Sequence, residues 1–156
     1  MNTKAEIALS NFVGRFDAFL IDCSECEIAG KWNVRKNGYM AAYFEADLFA
    51  VVLQTMSVDG VFERAEAEVI SRMFGTEYDP RELDEMYRTL APVVDDYCSD
   101  EANDALILLG EIDPRMRDEY RDLILDACRV VSEADGVAEG EEIKLLRRLR
   151  TALEPR

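Results

Sequence analysis

SVDGVFERAEAEVI, from Ser57 to Ile70, decides the reading of this chain, because the chain writes it twice. EADGVAEGEEIKLL, from Glu133 to Leu146, repeats the Asp-Gly-Val opening and the glutamates at the same offsets. Aligning Asp59 with Asp135 pairs Gly60 with Gly136, Val61 with Val137, Glu63 with Glu139, Glu66 with Glu142 and Arg72 with Arg148. The apolar positions fall into step as well, with Val69, Ile70 and Met73 against Leu145, Leu146 and Leu149. Each copy reads as a long apolar helix, a glycine turn and a second amphipathic helix, the first repeat over about 41–75 and the second over about 117–153. Neither hairpin can bury its apolar stripe alone, so the two are expected to pack together about an approximate two-fold axis.

The rest of the chain supports an all-α fold. Apolar residues recur at three and four positions, as in Phe44, Leu48, Val51 and Val52, or Ile124, Ala127, Cys128 and Val131, and no segment sustains a period of two. The pattern predicts a single-domain bundle of about seven helices, near 5–24, 40–58, 63–74, 80–90, 100–111, 114–134 and 139–153. Asp79-Pro80 and Asp113-Pro114 each read as an N-cap followed by a first-turn proline, whose missing N–H is no loss there. GKWNVRKNG, Gly30 to Gly38, reads as a basic connecting loop with Trp32 tucked onto the bundle, and Asp95-Asp96 with Ser99-Asp100-Glu101 as a turn leading into a capped helix.

Composition excludes several functions. Among 156 residues there is no histidine, which removes Ser-His and Cys-His nucleophiles, imidazole acid–base chemistry and histidine metal sites. A net charge of −15 repels phosphate backbones and anionic lipid, so nucleic acid is not an expected partner and cations and basic protein surfaces are. No apolar run reaches a spanning length and the N-terminus lacks a secretion signal, so the expectation is a cytoplasmic protein with no direct membrane insertion and any peripheral association made through a partner. Cys23 and Cys26 form a C-x-x-C without a second pair to complete a zinc site; with Cys98 and Cys128 they read as reduced, packed thiols.

The twice-written turn carries the chemistry. Gly60 and Gly136 suit a left-handed helix end, and Glu66 and Glu142 stand at capping-box spacing from Glu63 and Glu139, although glutamate is a poor N-cap. Asp59 and Asp135 lie at the carbonyl end of a helix, where a carboxylate needs compensation from backbone N–H groups or from a cation. An EF-hand is excluded, because the third position is Val61 or Val137, the sixth is Arg64 in the first copy although Gly140 in the second, and neither copy has a glutamate at the twelfth. Two readings stay open: capped turns alone, or a divalent cation (calcium, magnesium, manganese or zinc) held by Asp59, Glu63, Glu66, Asp135, Glu139 and Glu142.

The paired DGVFERAE and DGVAEGEE motifs, each after a long apolar helix and opening another, resemble the TerB tellurite-resistance family and TerB-like domains from about Ala41 to Leu153. The resemblance implies an all-α pseudo-symmetric core, an acidic metal-binding face that includes Asp59, Glu66, Asp135 and Glu142, and a role in tellurite and chemical stress within multi-protein systems. Glu63 and Glu139 depart from the small polar residue usual at that cap. The expectation is therefore a non-enzymatic stress-response module that binds a cation and a protein partner. The alternative is a structural interaction domain with no metal site, and a carboxylate-and-metal hydrolase ranks well below both.

Overall fold

A computed structural model describes residues 3–57, 59–99, 104–135 and 140–154. Nine helical segments run through them: α1 (Thr3–Ile28), α2 (Val34–Asn37), α3 (Met40–Met56), α4 (Arg64–Phe74), α5 (Pro80–Thr89), α6 (Val93–Cys98), α7 (Asp104–Ile112), α8 (Pro114–Asp135) and α9 (Gly140–Leu153). Among the described residues there is no strand, and the chain is an all-α bundle.

α3 is the hub. Leu48, Val51, Val52, Leu53 and Met56 are all buried, so its C-terminal half is packed on most sides, with Gln54 the half-buried polar exception. It packs against α1, α4, α5, α6, α8 and α9. The crossed pairs α3/α9 and α4/α8 both touch, which is the exchange that a two-fold relation between hairpins α3–α4 and α8–α9 requires. Two of the three aligned apolar pairs are buried alike, Ile70 with Leu146 and Met73 with Leu149, whereas Val69 is buried and Leu145 only partly so.

α1 closes the bundle with Phe12, Phe16 and Phe19. The Phe19 ring lies 5.8 Å from Phe44 and 5.3 Å from Tyr120, and Phe44 lies 5.1 Å from Tyr120, in the offset and edge-on geometries that aromatic quadrupoles favour. Trp32 is 6% exposed, stacks near Phe44 and donates its indole N–H to the Gly38 carbonyl at 2.8 Å, so the basic loop is folded onto the core as expected.

Two helix starts follow the aspartate–proline signals. Asp79 accepts the Glu82 N–H at 2.8 Å and Asp113 accepts the Arg115 N–H at 2.9 Å. Three expectations need correction. The first helix continues to Ile28, which places both Cys23 and Cys26 inside it. Residues 95 and 96 are not in a turn but in the first turn of α6, where aspartates complement the helix dipole. Gly60 has φ 75° but does not end a helix: α3 stops at Met56, and Gly60 sits inside the following turn.

Candidate functional site

The first acidic turn, between α3 and α4, is built by its carboxylates. Val61, Phe62 and Glu63 present three successive backbone N–H groups ahead of α4. Each is accepted by a different side chain: Asp59 Oδ1 at 3.0 Å, Asp84 Oδ1 at 2.9 Å and Glu66 Oε1 at 2.9 Å. These groups have no partner in any helix, and leaving them bare in a partly buried loop would be costly. Glu63 stands at the N-cap in extended conformation, and Glu66 reaches back to it from the third helical position.

Asp59 needs compensation, as its position past a helix end implies, and the protein supplies it. Ser57 Oγ lies 2.7 Å from Asp59 Oδ1 and 2.7 Å from the Val61 carbonyl, its one proton serving either. The Ser57 hydroxyl, and after it the Val61 N–H, hold the Asp59 carboxyl below its usual range, so it is ionised at neutral pH. Both bonds fall on Oδ1. Phe62 is buried and its ring lies 6.1 Å from that of Tyr87, which fastens the turn to α5.

Asp59, Glu63 and Glu66 thus share one turn, but among the described residues no three acidic or thiol side chains are grouped to hold a metal ion. In this half the carboxylate oxygens fit backbone N–H groups, and a cation there would need ligands from elsewhere. Glu139 lies outside the described residues, as do the side chains of Asp135 and Glu142, although Asp135 ends α8 and Glu142 lies in the first turn of α9. Asp84 was missing from the residues read in the sequence; it lies 22 residues past Phe62, and nothing local marks it.

The remaining chemistry is quiet. Burial pushes the Cys23 and Cys128 thiols up to about 12, and burial also raises Cys26 and Cys98. At neutral pH such thiols stay protonated. An open groove of about 690 Å³ runs between α4 and the start of α5, bordered by Arg64, Ser71, Arg72 and Tyr78. Its serine is engaged, with Oγ donating to the Ala67 carbonyl at 2.6 Å and accepting the Tyr78 N–H at 2.9 Å, and Arg72 is held by Glu6 through two bonds.

The family model described as "Tellurite resistance protein TerB" matches residues 45–155. The chain belongs to the TerB family. No curated protein and no solved structure matches it. The TerB match takes in both acidic turns and begins within α3, so α1 and α2 lie outside it. No helix of this TerB chain, among the described residues, is long and apolar enough to cross a membrane.

Proposed function

We propose that the chain is a non-enzymatic module of the tellurite response that works by binding, holding a divalent cation at its acidic turns and a protein partner on another surface. The ligands are drawn from Asp59, Glu63, Glu66, Asp135, Glu139 and Glu142. The observation that carries this reading is Asp59: an exposed, ionised carboxylate whose bonds from the Ser57 hydroxyl and the Val61 N–H both fall on Oδ1. A hard cation takes such oxygens together with water. The chain has no histidine, and burial holds its thiols protonated, which supports binding over catalysis.

The second reading is a purely structural interaction domain, favoured by the three carboxylates that cap Val61, Phe62 and Glu63. Thermal unfolding of EDTA-treated protein separates the two. Calcium, magnesium, manganese and zinc are added singly to the parent chain and to the Asp59→Ala/Asp135→Ala variant. A cation bound only by the folded state at a hundred times its Kd adds about 2.7 kcal/mol. A selective rise in Tm lost in the variant is expected; the same flat response in both chains would leave the turns as capping structure.

A further inference from the structure

α1 has apolar residues on two sides, and only one is covered. Its inner side, from Ala5 through Phe12 and Phe19 to Cys23, is buried, and the helix packs against α3, α4 and α8. On the outer side Ile7, Ile21 and Ile28 are 54%, 61% and 88% exposed. Ile21 and Ile28 stand one heptad apart, about 10 Å at 1.5 Å per residue, and Ile7 stands two heptads, about 21 Å, before Ile21, with Gly14 between them. A Cβ added at Gly14 would meet nothing within 4 Å, so a second backbone can approach there. Single surface isoleucines need no explanation, but a row along one helix marks an interaction face.

The charges of α1 are sorted by side. Its two basic residues turn to α8: Lys4 pairs with Glu133 at 3.1 Å, and Arg15 pairs with Asp126 and with Asp122 at 3.9 Å. Glu6 is taken by Arg72, and Glu27 accepts the Met40 N–H. That leaves Asp17, Asp22 and Glu25, whose carboxylates make no hydrogen bond or ion pair among the described residues. Asp17 and Glu25 lie one turn before and after Ile21 on its own face, with Asp22 beside it.

We propose that this side of α1 is the docking surface for a basic amphipathic helix of another protein, with apolar side chains over the isoleucine row and lysines or arginines against Asp17, Asp22 and Glu25. Charge complementarity selects this occupant. A second copy of the chain would bring another acidic helix face, and a further charge of −15, to this surface. The inference rests on the reading of the chain as a binding module and names its partner's chemistry. Asp17, Asp22 and Glu25 belong to α1, before the segment matched by the family, and none of them is a residue of either acidic turn.

The test titrates the full chain into a fluorescent helical peptide of leucines in heptads flanked by lysines, with a glutamate-for-lysine peptide as control, and follows anisotropy. Saturable binding of the lysine peptide alone is expected. Ile21→Asp/Ile28→Asp should weaken it at least tenfold although it adds negative charge, and Asp17→Asn/Asp22→Asn/Glu25→Gln should weaken it and flatten its salt dependence. Circular dichroism checks that each variant is folded, and Ile21→Ser/Ile28→Ser replaces the aspartate pair if that pair is not. No saturable binding, or equal or tighter binding by the isoleucine variant, would overturn the proposal, the latter by reducing the attraction to unlocalised charge. Sedimentation showing a dimer that the isoleucine variant dissolves would instead assign the face to a second copy. The cation melts read the turn at Asp59, so the two readings fail separately.

Discussion

Gly60 lies against the ring of Tyr87, so close that a Cβ there would sit 2.7 Å from both Cδ1 and Cε1. Its φ of 75° adds a second reason for glycine, since a side chain in that region is strained. Gly60→Ala should lower stability by roughly 2–3 kcal/mol, the sum of left-handed strain and overpacking. In a Tyr87→Ala background the overpacking is gone, and the same substitution should cost only about 1 kcal/mol. A double-mutant cycle in urea measures the difference.

Tyr97 and Tyr120 both donate to Asp47 Oδ2, at 2.6 and 2.5 Å, tying α6 and α8 to the central helix. Tyr97→Phe should cost about 1 kcal/mol, whereas Asp47→Ala takes the carboxylate from two buried hydroxyls, leaving Tyr120 only the Phe44 carbonyl at 3.3 Å, and should cost about 2–4 kcal/mol. Burial raises the Asp47 carboxyl above its ordinary 3.8, against the opposing pull of the tyrosine hydroxyls. The folded state therefore holds this proton more tightly than the unfolded one. Its contribution is full below 3.8 and declines as pH rises through the raised value. Stability of the parent relative to Asp47→Asn should fall as pH rises across that window. Asp59 is lowered, so its contribution is present above 3.8 and is lost as pH falls through the lowered value; stability relative to Asp59→Asn should drop with acidification. Urea titrations from pH 3 upward, about the range of carboxylate protonation, compare the two signs.

Thiol chemistry offers a third check. With Cys23 and Cys128 buried and pushed up to about 12, both should resist a disulfide reagent at pH 8, about half a unit below a free thiol's pKa, and react only on unfolding. Cys26 and Cys98, half-buried and raised less far, should react first but more slowly than a free thiol. A time course with and without denaturant counts the two classes.

Helical periodicity was enough to read the long elements, because an amphipathic stripe of ten or more residues leaves a strong pattern, and aspartate–proline pairs marked two starts to the residue. α6 escaped because six residues carry too little period, and Asp95-Asp96 looks the same in a turn as in a first helical turn. The acidic turn was half legible. Glu66 returning to Glu63 is a local spacing, whereas Asp84 reaching Phe62 and Asp47 gathering two tyrosines depend on helix packing, which no local pattern records.

The family match opens within α3, yet Phe19 of α1 rests against Phe44 of α3 and Phe16 against Phe74 of α4. Kinship and mechanical unit therefore have different borders in this chain. A fragment trimmed to the shared segment would lose Phe12, Phe16, Phe19 and Trp32 together, uncovering Tyr120 and Phe74 along a greasy trough. The N-terminal helix is not an appendage to the matched part but the lid without which its interior would face water.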